Sequence, residues 1–466
     1  MSKVENNVAE ETAVNEAVLL NLKSKDIGAL KVILNSVNEL DLLNIIQGMS
    51  AENQVILYRL LSKDKALYVF EQLEAAEQEK LLRSFTEKQA IEMITELDPD
   101  DRVRLLDELP ATVAQKMLAA LSPEERAATS LLMGYEEKTA GRIMTPEYVR
   151  LRKDISVHDA LEKVKENARA DKETIYNLYI TDNARKLEGV LSLRELLIAE
   201  ENDRIENIMH TNPVKVSTDD DQEEVARLLQ RLDLLAISVV DKEDRLVGII
   251  TVDDAMDIIE DETTQDIYNQ AGLADITGHE FDRSDVLVNG SLWKIWKVRL
   301  PFLLITLAAG ILAGLVIDGF EETLQSVFAV AVFLPLIMDM GGNVGTQSST
   351  VFARGVVLGH IQIKNFLKHF LKEVGVGLSI GIMVGVVSGA IAAIWQGELM
   401  LGFAVGLALV VTMTLAALLG FLVPFALIKL NVDQAAGAAP IITSIKDISG
   451  LVIYFMLVNA FLGHLL

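Results

Sequence analysis

No cysteine occurs anywhere in the 466 residues. That excludes a disulfide scaffold and a cysteine nucleophile. Histidine is nearly as scarce. Only His360, His369 and His464 fall after Leu300, and no His-Glu-x-x-His occurs, so an intramembrane zinc protease would lack its ligands. Basic charge is short as well: the formal net charge is −25. Nucleic acid is therefore an unsuitable partner, because phosphate binding needs basic stripes. The N-terminal residues, from Met1 to Ala17, show no basic region followed by an apolar core, so no signal peptide is expected.

What the chain does have is apolar length. Half of its residues are hydrophobic and the mean hydropathy is +0.30, which is unusual for a soluble protein, and the chain is too long for one compact domain. Charge is unevenly placed. From Leu300 onward 6 Lys/Arg stand against 8 Asp/Glu, so the first 299 residues hold 36 against 59. An acidic soluble half is joined to a nearly uncharged apolar half.

Five stretches of that second half, 300–317, 324–353, 374–395, 399–428 and 439–462, are long enough to cross a hydrocarbon core as helices. Lys294, Lys297 and Arg299 precede the first. Arg354, Lys364, Lys368 and Lys372 lie between the second and third, and Lys429 between the fourth and fifth. The remaining short loops carry no Lys or Arg. The positive-inside rule then places the N-terminal half in the cytosol and the C-terminus outside, with Trp293 and Trp296 at the interface.

Two spans are unsuited to a passive anchor. The second contains Pro335 and Asp339, then Met340-Gly341-Gly342-Asn343-Val344-Gly345-Thr346-Gln347-Ser348-Ser349. Such glycine density weakens a helix, and its polarity belongs inside protein or beside water, unless it forms a cytosolic loop or a small-residue packing face. The fifth contains Lys446 and Asp447 about 15 residues before its end. An ionisable residue in a span is a functional-site hypothesis. Beside it stand an internal ion pair near the interface and a snorkelling lysine. With no Lys or Arg partner in the other spans, Asp447 is expected to face water or a cation, which makes an ion path.

In the soluble half, residues 40–133 repeat short helices every 12 or 13 residues, which stack into a superhelix. Ser122-Pro123-Glu124-Glu125 is a capping box, and Asp98-Pro99-Asp100-Asp101 a helix start with a carboxylate cap. A second repeat follows. Ile143-Met144-Thr145 recurs as Ile208-Met209-His210, and Leu187-Glu188-Gly189-Val190-Leu191-Ser192 as Leu246-Val247-Gly248-Ile249-Ile250-Thr251. Apolar run, helix, strand, glycine turn, strand and helix, twice over, resembles a tandem pair of CBS domains. In that family a Gly-h-h-Thr/Ser-x-x-Asp pattern holds adenosine. Thr251 and Asp254 match it, and Ser192 and Glu195 match it less well. Residues 253–267 then read as one helix with Met256, Ile259, Thr263 and Ile267 at helical spacing and acids on its other faces. Like charges this close destabilise an isolated helix unless water, salt or a cation offsets them.

The order of these parts, with Gly-Gly-Asn-Val-Gly-Thr-Gln and Lys-Asp-Ile-Ser-Gly-Leu-Val-Ile-Tyr-Phe in the spans, resembles the MgtE family of magnesium transporters from about Leu30 to the end. The resemblance implies a multidomain fold: a flexible N-terminal tail (1–29), an all-α superhelical N domain (30–137), an α/β tandem CBS pair (138–206 and 207–255), a long acidic connecting or plug helix with a linker (256–290) and an α-helical membrane domain of five spans (291–466). It implies a homodimeric Mg²⁺ channel in the lipid bilayer, closed by cytosolic Mg²⁺, with ATP in the CBS pair. Asp447 matches the pore carboxylate, and Gly342, Asn343 and Gly345 the path beside it. Asp254, Asp257, Glu262 and Asp266 match the plug helix, Asp433 a carboxylate facing it, and Asp98, Asp100 and Asp101 the acidic edge of the N domain. One departure is Gln265, where relatives carry an acid and where no charged ligand is available. The competing readings are a less selective channel for Mn²⁺, Co²⁺ or Ca²⁺ and a nucleotide-sensing membrane protein.

Overall fold

The computed structural model describes residues 14–463 except 16, 25, 50, 74–77, 79–80, 83, 86, 110, 170–174, 274–279 and 431–437. It divides into two units, Met1–Glu260 and Asp261–Leu466.

The first unit begins with short helices: α1 (Ile27–Ser36), α2 (Glu39–Gln47), α3 (Ala51–Tyr58), α4 (Lys63–Glu71), α5 (Glu87–Glu96), α6 (Pro99–Glu108), α7 (Ala111–Ala120) and α8 (Pro123–Leu132). The apolar faces of α1 to α7 meet in one core, with Leu30, Leu42, Ile46, Phe70, Ile94 and Leu105 buried, whereas Leu132 of α8 is buried in a cluster with Val216, Ile237 and Ile250 of the repeat that follows. A repeated arginine locks the stack. Arg102 Nε donates to the Ile94 carbonyl at 2.8 Å and its Nη2 to Thr95 at 2.9 Å and Leu97 at 2.6 Å, which satisfies carbonyls at the end of α5. Arg126, two helices later, does the same to Leu118, Ala119 and Leu121 at the end of α7. The expected capping box at Ser122 and Glu125 forms. The expected carboxylate cap does not: Asp98 stands at the N-cap of α6 but its side chain makes no capping hydrogen bond. Residues 17–24, expected as tail, are helical, and Val18 is fully buried in the same core.

The repeat that follows folds as two sheets of one design. Strands β1 (Val149–Leu151), β2 (Asn177–Thr181), β3 (Leu187–Ser192) and β4 (His210–Thr211) form the first, and β5 (Lys215–Ser217), β6 (Ala236–Val240) and β7 (Leu246–Thr251) the second. In each, a parallel pair is followed by an antiparallel pair with a register shift at the same place. The copies exchange their leading segments. Thr145 bridges Ile249 of the second sheet, while β4 pairs with β3 of the first. This explains the motif glycines. A Cβ at Gly248 would lie 2.6 Å from Met144 Sδ, and one at Gly189 2.9 Å from Met209 Sδ. Met and Gly of the two motifs are contact partners.

A single helix, α9 (Val252–Gln270), leaves the second sheet, as its spacing predicts. Among its described residues the second unit holds five helices long and apolar enough to cross a membrane: Leu292–Asp318, Ala329–Val357, Ile363–Gln396, Leu399–Lys429 and Pro440–Leu462. Two of these matter below. Helix α10 (Leu334–Val357) runs unbroken through the glycine-rich stretch, and α11 (Ala438–Leu462) carries Lys446 and Asp447.

Candidate functional site

Helices α10 and α11 pack together, and the glycines of α10 decide how closely. A Cβ at Gly341 would lie 2.5 Å from Lys446 Cδ, one at Gly342 3.2 Å from Lys446 Nζ, and one at Gly345 2.9 Å from Ile442 Cγ2. The missing side chains make room for a lysine. Lys446 is 1% exposed, its ammonium donates to the Met338 carbonyl, and Asp447 Oδ1 lies 2.5 Å from Nζ. A lone buried ammonium would cost several kcal/mol, so these partners are what make the position tenable. Of the alternatives the sequence leaves open, the internal ion pair is present: the counter-ion of Asp447 is its own neighbour in sequence. Asp447 keeps a one-quarter exposed side chain.

The other expected path residues divide between two surroundings. Asn343 is exposed and its amide donates to Asp339 Oδ2 at 3.2 Å, Gly342 is half-buried, and Gly345 is buried against α11. A carboxylate that the sequence reading passes over also enters here. Glu373 Oε1 accepts from the buried Ser348 hydroxyl at 2.7 Å. Its only sequence signal is position, immediately before the third apolar run.

A second group of acids lies in the first unit. Asp101 and Arg104 pair at 2.8 Å, and Arg104 also reaches Asp257 of α9 at 3.8 Å. Asp254 accepts from the Thr251 hydroxyl. Burial, then the nearby charges of Asp101 and Asp253, push the Asp254 carboxyl up to about 7 against the opposing hydrogen bond from Thr251. Burial likewise raises Asp101 and Asp257, with Arg104 pulling the other way. Asp98 and Asp100 are half-buried nearby in sequence on α6. Among the described residues no three His, Asp or Glu side chains gather closely enough to hold a metal ion. Arg104 stands between Asp101 and Asp257 and pairs with both. Glu262 and Asp266 are half-buried farther along α9, and Asp433 lies outside the described residues.

The two CBS copies treat their hydroxyl–carboxylate pairs differently. In the first, Ser192 and Glu195 form a capping box, and His210 Nε2 lies 2.6 Å from Glu195 Oε1. The His210 contact, aided by Ser192, holds the Glu195 carboxyl down to about 2. That carboxylate is committed to its own domain. In the second copy the pair is Thr251 and Asp254.

The end of α9 is fastened inside the second unit. Gly272 has φ +75°, and a Cβ there would meet Pro440 Cγ at 2.8 Å and Phe302 Cβ at 3.3 Å. Pro440 opens the fifth span, seven residues before Asp447. Arg283, fully buried, donates to Asn269 Oδ1 at 3.0 Å and to the Leu273 and Gln265 carbonyls at 3.3 Å, with Tyr268 beneath its guanidinium at 5.0 Å. Nothing in the local sequence marks this arginine, because its partners come from a preceding helix.

Five helices long and apolar enough to cross a membrane, with an ion pair inside one of them, joined through α9 to a paired CBS module, define a multi-pass membrane protein with an attached CBS pair. Residues 334–457 match the MgtE divalent cation transporter family, 37–138 the MgtE intracellular N domain, and 140–202 and 205–261 the CBS domain. The magnesium transporter MgtE of Thermus thermophilus is 35% identical over 329 residues, 71% of each chain. That of Bacillus subtilis is 35% identical over 338 residues, 72% of this chain and 73% of the relative. The solved cytosolic domain of the Mg²⁺ channel MgtE in complex with ATP has 37% identity and a TM-score of 0.50, covering 52% of this chain and 99% of that one. The chain belongs to the MgtE family of divalent cation transporters.

Proposed function

We propose that the chain is a homodimeric Mg²⁺ channel of the plasma membrane, with its N-terminal domains in the cytosol, closed by Mg²⁺ bound to its acidic domains. The observation that carries this reading is Asp447: a partly exposed carboxylate held by an ion pair inside a membrane span. Mg²⁺ sheds water reluctantly and prefers oxygen ligands, so a carboxylate from each subunit would hold a largely hydrated ion through its waters. Binding of that kind favours divalent over monovalent ions and still permits exchange. The loop charges support the orientation, with Lys429 and the cluster Lys364, Lys368 and Lys372 on the cytosolic side.

Gating follows from linkage. With little Mg²⁺, Asp101, Asp254, Asp257, Glu262, Asp266 and Asp433 repel one another. Bridging ions neutralise them, and the state that binds more ions wins as Mg²⁺ rises. Because α9 ends against Pro440 and Phe302, its displacement reaches the fifth span. ATP at Thr251 and Asp254 would adjust the same helix, and a related cytosolic domain was solved with ATP.

Asp447→Ala tests the path. Mg²⁺ flux into proteoliposomes should fall by at least about tenfold, which corresponds to ~1.4 kcal/mol of lost ion stabilisation, while the size-exclusion profile is unchanged. Undiminished flux would remove Asp447 from the path. The same assay run with Mn²⁺, Co²⁺ and Ca²⁺ separates a Mg²⁺ channel from a broader divalent one.

A further inference from the structure

The contact between α10 and α11 holds Lys446 and Asp447, and α10 carries a further ionisable side chain, Asp339, next to Met338; the three charges do not cancel. Lys446 Nζ is bonded to the Met338 carbonyl and lies 2.5 Å from Asp447 Oδ1. An ammonium at that distance offsets most of the Asp447 charge felt by an ion farther away. Asp339, next to Met338, is different. It is an exposed carboxylate within the Ala329–Val357 span, it accepts a hydrogen bond from Asn343 at 3.2 Å, and no Lys or Arg pairs with it among the described residues. Carboxylates inside spans face protein or water and not lipid, because desolvating them is expensive.

We infer that Asp339 supplies the net negative charge of the cation path, and that Lys446 sets its amount by neutralising Asp447. Asn343 is the positioning residue that holds the Asp339 carboxylate. Each subunit then presents one net negative charge from two carboxylates and one ammonium. That is enough to attract a divalent ion and too little to trap it. This inference rests on the reading of the membrane half as an ion path. The glycines at 341 and 342 acquire a purpose within it, because they admit the lysine that performs the subtraction.

The experiment is Mg²⁺ influx into proteoliposomes of the full chain, followed with a Mg²⁺-sensitive dye, for Asp339→Asn, Asp339→Glu, Lys446→Met and Asp339→Asn combined with Lys446→Met. Asp339→Asn should lower flux at sub-saturating Mg²⁺ by about tenfold or more, and Asp339→Glu should keep it within about threefold. Lys446→Met alone should saturate at lower Mg²⁺ because two net charges hold the ion. The double variant restores the native count of one and should recover flux to within about threefold of the parent. A merely structural Asp339 would show no such rescue.

Undiminished flux in Asp339→Asn would overturn the inference. So would a double variant that folds and conducts no better than Asp339→Asn, or a change of oligomeric state in Asp339→Asn, which would make Asp339 an assembly contact. If variants at Lys446 do not fold, the comparison of Asp339→Asn with Asp339→Glu still decides. Asp447→Ala in the same liposomes separates the two failures. Full conduction there defeats the path itself, whereas loss of conduction with an indifferent Asp339 defeats only the present inference.

Discussion

A methyl group at position 341 would stand 2.5 Å from Lys446 Cδ, well inside contact distance. Lys446 has little freedom to retreat, since its ammonium is pinned between the Met338 carbonyl and Asp447. Gly341→Ala should therefore displace the lysine or part the two helices, at a cost of roughly 1–3 kcal/mol for overpacking. Thermal unfolding in detergent is the measurement, and Gly310→Ala is its control. A Cβ at Gly310 meets nothing within 4 Å, so that change should be neutral or slightly stabilising through helix propensity. Equal midpoints for the two variants would mean that the α10–α11 contact is looser than its geometry. Single residues were also where the sequence was hardest to read. The glycine run announces close approach, yet nothing local says that a lysine from another helix is what approaches.

Whole elements were easier to read, for a physical reason. Apolar periodicity, capping boxes and span-length runs are written into consecutive residues, so the spans, α9 and the paired repeat were visible in the chain. The exchange of leading segments between the CBS copies was not, because Thr145 and Ile249 are distant in sequence. The acidic surface likewise reads as bare carboxylates until Arg104 is placed beside Asp101 and Asp257. Helix α9 carries the clearest pH signal. With its carboxyl raised to about 7, native Asp254 keeps a proton that the unfolded chain has already released at lower pH. Native stability therefore falls as pH rises from the ordinary aspartate range through about 7, the sign opposite to that of a salt-bridged acid. Asp254→Asn removes this dependence. At pH 8 and low Mg²⁺ the variant should be more stable than the parent by on the order of a few kcal/mol, and the two should converge at about pH 4 and below, where the unfolded aspartate also holds its proton. Parallel pH profiles would show that Asp254 titrates normally.

For the whole molecule the relevant quantity is the acidic excess of the first 299 residues, 59 Asp/Glu against 36 Lys/Arg. Solubility alone would explain an acidic domain, so the gating proposal needs a response specific to divalent ions. Limited proteolysis of the detergent-solubilised full chain supplies one. If Mg²⁺ bridges the acidic surfaces, millimolar Mg²⁺ should slow cleavage within residues 253–285 by about tenfold or more, as expected for a closed state favoured by ~1.4 kcal/mol. K⁺ at matched ionic strength should not, because screening lowers repulsion without joining surfaces. Neutralising Asp257 and Glu262 together separates bridging from repulsion. If repulsion alone kept the domains open, Asp257→Asn with Glu262→Gln would be protected even without Mg²⁺. If bridging closes them, the variant would stay cleavable at every Mg²⁺ concentration and would conduct when the parent is shut. Bridging is the expected outcome, because Arg104 already offsets part of the charge at Asp101 and Asp257. The ions are then needed as ligands between surfaces more than as counter-charge.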